Sequence, residues 1–348
     1  MADTTKIEWT DATWNPITGC TLVSEGCRYC YAARLAATRM KHHPSRKGLA
    51  RINAAGEAKF TGEVRLNEQW LDQPLRWRKP RRIFVCAHGD LFHEAVPDEW
   101  IDRVFAVMAL SRHQFQVLTK RPERAREYMN GNRYGVVNAA VEIISDARGD
   151  VAGVVQRENM DRSGEWPLPN VWLGTSVEDQ ATADARIPAL LATPAAVRFV
   201  SCEPLLGPVD LLRWSGLEGD ADFGLDWVIV GGESGPNARP MHPDWARSLR
   251  DQCQAAGVPF FFKQVGEWTA WQPASGPYWG NAYSGDEVDR HILLPTDMDA
   301  DPTWDDGLAH YTPGETDHCA FQRVGKRAAG RLLDGQEWNQ MPEGQADA

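Results

Sequence analysis

Cys20, Cys27 and Cys30 fall within eleven residues at the spacing Cys-x6-Cys-x2-Cys. Three clustered thiolates without a fourth cysteine nearby suit a metal centre that keeps one coordination position open, and an open position is where chemistry occurs. Gly19 and Gly26 each precede a cysteine, and the missing β-carbon is expected to let the backbone approach a bulky iron-sulfur cluster. Tyr29 and Tyr31 flank the last thiol and would limit water access, which tunes a reduction potential. The competing reading is a structural zinc site completed by His42 or His43. Cys86, Cys202, Cys253 and Cys319 are dispersed and read as buried or incidental thiols.

A second set of chemical residues follows a series of short apolar runs. Thr119, Lys120 and Arg121 come after one run, and His88, Asp90 and His93 after another; Ser176 and Glu178, Ser201 and Glu203, Glu233 and Ser234, and Lys263 and Gln264 follow the rest. Any one of these could be a helix cap or a solvated loop residue. Gathered at one mouth, acids and lysines beside a three-cysteine loop would form a catalytic rim, with Lys120, Glu203, Glu233 and Lys263 as its acid, base or charge-stabilising groups. Gly231 and Gly232 precede Glu233 and are expected to admit a ligand close to the main chain.

What must position these residues is a repeated strand–polar residue–helix grammar. The runs Ile83–Ala87, Phe115–Leu118, Val171–Gly174, Val197–Val200, Trp227–Val230 and Phe260–Phe262 are rich in β-branched and aromatic residues, and the spacing predicts helices between them. Trp100, Val104, Val107 and Met108 lie at helical spacing within 98–110, and a helix over 242–256 stops at Gly257. A first strand at Trp14–Ile17 brings the count to about seven βα units. The fold class is α/β, a parallel (β/α) TIM-type barrel, complete or partial, with an open doubly wound sheet as the alternative. In either, the active site lies at the carboxyl ends of the strands.

Residues 1–265 are assigned to the barrel with its cysteine loop. The polar stretch at about 130–170 reads as an insertion, and 266–348, rich in Trp, Pro, Gly and acids, as a C-terminal extension or lid ending in a helical stretch, Gln322–Leu333. The chain has 348 residues, 43% hydrophobic and 24% charged. No run approaches the ~20 apolar residues of a membrane span and no export signal is evident, so a cytoplasmic location with reduced thiols is expected and no membrane partner. A net charge of −11 weighs against indiscriminate binding to phosphate. Charge is uneven, with basic runs at Arg39–Lys47 and Arg76–Arg82 and an acidic segment at Asp286–Asp317; the basic runs read first as solvated faces, second as a groove for a polyanion.

Thr13-Trp14-Asn15-Pro16 ahead of the cysteines, His88-Gly89-Asp90-Leu91-Phe92-His93, Leu118-Thr119-Lys120-Arg121-Pro122, Ser201-Cys202-Glu203-Pro204-Leu205 and Gly231-Gly232-Glu233-Ser234-Gly235 together resemble a phage-type family of domain-of-unknown-function proteins. That family is in turn similar, in its cysteine loop and barrel, to radical S-adenosylmethionine enzymes. The resemblance implies a [4Fe-4S] cluster on Cys20, Cys27 and Cys30, whose Cys-x-aromatic-Cys ending matches, although the first spacing is six residues where three are usual. It further implies S-adenosylmethionine bound by Asp90, Ser176 and Glu178, an electron donor as partner, and a deoxyadenosyl radical that abstracts hydrogen from a substrate of the nucleic acid or nucleotide class. The readings from other classes are a zinc-stabilised binding protein without catalysis and a metal-dependent barrel hydrolase using the carboxylates.

Overall fold

Every apolar run becomes a strand, because each is buried on both faces, the condition under which strands read as continuous hydrophobic runs rather than alternating ones. The computed structural model describes residues 5–131, 133, 135, 166–214, 224–271, 291–295, 303–305, 308–310 and 318–342. Its main sheet has seven strands in chain order: β1 (Ala12–Trp14), β2 (Arg82–Val85), β3 (Gln114–Thr119), β4 (Val171–Ser176), β5 (Val197–Cys202), β6 (Trp227–Gly231) and β7 (Phe260–Gln264). All neighbouring pairs are parallel.

Alternation along the strands supplies two cores. One set of side chains, including Ile83, Val85, Phe115, Val117, Leu173, Val200, Val228 and Phe262, belongs to the large core shared with the helices. The other set, Phe84, Trp172, Phe199, Trp227, Ile229 and Phe261, joins Trp9 in a second cluster. The Trp227 ring lies 6.2 Å from Trp9, 5.8 Å from Trp172, 5.7 Å from Phe199 and 6.1 Å from Phe261. Rings from β4 to β7 can converge on one indole only if the sheet curls around it. The result is a curled seven-strand half-barrel; among the described residues β1 and β7 do not pair with each other, so the complete barrel allowed by the sequence is not formed by these strands.

The free edge of β7 is covered by a distant segment. The Phe262 N–H donates to the Trp338 carbonyl at 2.9 Å and the Gln340 N–H to Phe260 at 3.1 Å, an antiparallel pairing centred on Phe261 and Asn339. Met341 then packs against the inner aromatic cluster.

Helices α1 (Tyr31–Ala37), α2 (Asp98–Ala109), α3 (Pro122–Asn130), α4 (Gln180–Leu191) and α5 (Pro243–Ala256) fill most crossovers, and the short α6 (Lys326–Ala329) follows the sheet. Asp179 and Thr182 form a capping box at the start of α4, and α5 ends where expected, at Gly257 with φ +69°. No described helix is long and apolar enough to cross a membrane.

Several expectations are corrected. The first strand is Ala12–Trp14, not Trp14–Ile17; Ile17–Thr18 pairs instead with Arg65–Leu66 in a separate antiparallel ladder. Between β5 and β6 the described residues hold only a 3-10 turn, Leu212–Trp214. Gln322–Leu333 is not one helix: His318–Arg323 is a strand between Trp268–Trp271 and His291–Pro295, and only Lys326–Ala329 is helical. Phe321 alternates inward as a strand residue and is buried in the main core, so tertiary contact overrides the weak helical period. The insertion and the acidic segment lie largely outside the described residues.

Candidate functional site

The same alternation that lines the concave face with aromatics carries charge to its upper end. From Trp172 the inner positions run through Gly174 and Ser176 to Glu178, from Phe199 through Ser201 to Glu203, and from Phe261 to Lys263; Ser176 and Ser201 are register partners on β4 and β5. Two Lys–Glu pairs result. Lys120, just beyond β3, donates to Glu178, while Lys263 on β7 donates to both Glu203 oxygens at 2.6 and 2.8 Å. Glu178 is 1% exposed and also accepts from Ser24 at 3.2 Å and Arg186 at 2.9 Å. Burial alone would raise its pKa, but Lys120 and Arg186 outweigh it and hold the carboxyl below its usual range.

The cysteine loop lies over these strand ends. Gly26 is clamped against Glu178: a β-carbon there would stand 2.5 Å from the Glu178 Cγ. The expectation that Gly26 makes room for a cluster is thus corrected, since its neighbour is a protein carboxylate. Gly19, with φ +100°, approaches the Glu63 carbonyl in the same manner. The Tyr29 ring has two guanidinium groups over it, 5.5 Å away at Arg28 and 5.3 Å at Arg239, and the Tyr31 hydroxyl donates to the Ala87 carbonyl just beyond β2.

All three thiols are partly exposed and free of disulfides, and they stand close enough to act on one another. Burial pushes Cys20 up to about 12, with Asp90, Cys27 and Cys30 adding and Arg121 opposing. Burial also raises Cys30, opposed by the Ala33 and Ala32 N–H groups of α1 and by Lys120, with Cys27 adding to the rise. Burial thus favours the neutral thiol at Cys20 and Cys30, as it does at the buried Cys86 and Cys253. Among the described residues no group of three or more His, Cys, Asp or Glu side chains is set as for a single metal ion. His43, the proposed zinc partner, bonds Ser45 at 2.7 Å and stacks on Trp70 at 5.5 Å; His42 is exposed.

Asp90 is buried and fully occupied. It accepts from Thr119 at 2.7 Å, the Phe92 N–H at 3.0 Å, the Lys120 N–H at 3.2 Å and Arg121 at 3.1 Å. Arg121 in turn reaches Glu94 at 2.8 Å and the Cys20 sulfur at 3.5 Å, so Asp90 acts on the cysteine loop through a positioned guanidinium. Glu233 plays the corresponding part on the far side. It holds Arg239 at 2.8 and 2.7 Å, and Arg239 binds the Glu25 carbonyl of the loop at 3.0 Å. Gly232 leaves no space for a ligand beside the main chain, because a β-carbon would stand 2.0 Å from the Val265 carbonyl oxygen; its role is the close approach of the β6 and β7 ends.

All ten sequence-derived candidates thus belong to one region, the carboxyl ends of the strands and the loop above them. Arg186, Arg239, Ser24 and Arg46 were missed. Arg46 belongs to a run read as solvated but is buried, bonding His88 at 2.6 Å, and burial draws the His88 pKa down to about 4. Nothing in local spacing distinguishes such arginines from surface ones; only their tertiary carboxylate or imidazole partners do.

A family model described as "Protein of unknown function (DUF5131)" matches residues 4–342, and the chain belongs to that family. No curated protein and no solved structure gives a match.

Proposed function

We propose that this member of the DUF5131 family is an iron-sulfur enzyme of the radical S-adenosylmethionine kind. Cys20, Cys27 and Cys30 would hold a [4Fe-4S] cluster, and the mouth of the half-barrel would hold S-adenosylmethionine and substrate. The observation that carries the reading is the cysteine loop lying over the carboxyl ends of parallel strands, with three interacting thiols beside two Lys–Glu pairs. Bound there, the two groups would supply one-electron reductive chemistry for hydrogen abstraction, with the electron coming from a separate donor.

The chain's own residues orient and insulate. Arg121, fixed by Asp90, places positive charge 3.5 Å from the Cys20 sulfur, which favours the thiolate. Glu178 faces two cations, Lys120 and Arg186, leaving local charge to meet a carboxylate or phosphate; with Ser176 it forms the cofactor-binding part of the rim. Lys263 and Glu203, hydrogen-bonded to each other, would be the acid–base pair at the mouth. The aromatic plug around Trp227 closes the inner face below them and excludes water.

The test is anaerobic reconstitution with iron and sulfide. The expected product is a brown protein that, once reduced, binds S-adenosylmethionine and slowly releases deoxyadenosine and methionine. Alanine at Cys20, Cys27 or Cys30 should abolish bound iron, and alanine at the buried Cys253 should not. A colourless protein holding one tight zinc, or a reduced, iron-loaded protein without detectable affinity for the cofactor, would refute the proposal.

A further inference from the structure

In a chain of net charge −11, residues 26–56 contain no Asp or Glu. Arg34, Arg39, Lys41, Lys47 and Arg51 within that stretch are all exposed, and no ion pair to any of the five occurs among the described residues. They share one small unit, because α1 packs on the hairpin formed by Ala50–Ile52 and Ala58–Phe60. The acids bordering the unit are already engaged: Glu25 with Arg239 at 3.4 Å, Glu57 with Lys59 at 3.3 Å and Glu63 with Arg65 at 2.5 Å. The unit is therefore a positive face on an acidic protein, and its charge is not cancelled locally.

Where this face meets the mouth stands Tyr31, next in sequence to Cys30. Its hydroxyl is anchored on Ala87, its ring lies 6.2 Å from His88, and the residue is still 55% exposed. An aromatic ring fixed at its far end and open to solvent loses little freedom on stacking, and bases stack on such rings while phosphates follow neighbouring cations.

We infer that the α1–hairpin unit is a docking surface for single-stranded nucleic acid, with phosphates meeting Arg34, Arg39, Lys41, Lys47 and Arg51 and a base stacking on Tyr31 at the mouth. A single strand is specified because paired bases do not present the face that Tyr31 requires. The docking stands independently of the cluster; only the consequence that the strand is the substrate rests on the function proposed above.

The experiment is fluorescence anisotropy with labelled DNA and RNA strands of about 20 nucleotides, comfortably longer than one such site, against the same DNA as a duplex and against heparin as competitor. Binding should weaken with salt along a log–log slope of roughly −3.5, for five phosphates on a single strand. Reversing Arg39 and Lys41 to Glu should weaken binding at least about tenfold, whereas the same reversal at exposed Lys326 and Arg327 should leave it unchanged. Tyr31→Leu should cost about fivefold or more on single strands and nothing on the duplex. Undetectable strand binding, equal losses from the two charge reversals, or preference for duplex or heparin would overturn the inference. Because Cys20→Ala should lose iron yet keep strand affinity, a failed docking surface and a failed cluster give different results.

Discussion

At the residue scale, Glu178 concentrates the most consequence in one side chain. It is the shared acceptor of Lys120, Arg186 and Ser24 and the surface against which Gly26 closes. Removing its charge strands two cations in a partly buried site, so Glu178→Gln should destabilise the fold by about 3 kcal/mol, read as a lower denaturant midpoint with unchanged slope. The pH dependence has a definite sign. The folded pKa is depressed, so the contribution is complete above the unfolded value of about 4.3 and is lost as pH falls through the folded value. The gap between wild type and variant should therefore close in acid; parallel acid limbs would show that Glu178 is not held charged by its partners. The three cysteines were legible from type and spacing alone, since only residues 20–30 cluster thiols. The partners that orient them, Arg121 and Arg239, come from loops about 100 and 210 residues further on in sequence, at distances where spacing carries no information.

At the element scale, the strand ends meet through backbone contact as well as side chains. Gly232 stands against the Val265 carbonyl with no space for a methyl group, while Gly257 closes α5 in the left-handed region with open space around it. Gly232→Ala must move backbone and should cost about 2–3 kcal/mol, by the mechanism of an overpacked core; Gly257→Ala strains one residue in the left-handed region and should cost about 1 kcal/mol. Melting temperatures of the two variants give the order directly, and a smaller loss at Gly232 would mean that the β6 and β7 ends do not pack as described. The strands and the α5 stop were readable because burial on both faces and a C-terminal glycine are local signals. The His318–Arg323 strand was not, because its pairing with Trp268–Trp271 joins segments about 50 residues apart.

For the whole molecule, the open sheet is completed by the far end of the chain. Residues 338–340 pair with β7, the Trp227 indole donates to the Gln340 carbonyl at 2.9 Å, and Met341 reaches the inner cluster. A chain ending at Gly335 should lose these contacts and expose the β7 edge, an invitation to intermolecular pairing. It should melt at a lower temperature and aggregate on heating, as measured by light scattering, while retaining a parallel-sheet circular dichroism signature. An unchanged melting curve would show the segment to be dispensable.

The sequence by itself determined that this is an α/β protein of parallel strands, that a set of acids and lysines follows the carboxyl ends of those strands, and that three thiols fall within eleven residues. Period, composition and short spacing are local, and each of these conclusions follows from them. Only the tertiary structure decided that the sheet curls into a half-barrel, that its last edge is covered by residues 338–340, and that each of the rim's acids meets a lysine or arginine. Those outcomes depend on which distant groups meet, and the free energy of a buried charge is set by its partner in space rather than by its neighbours in the chain.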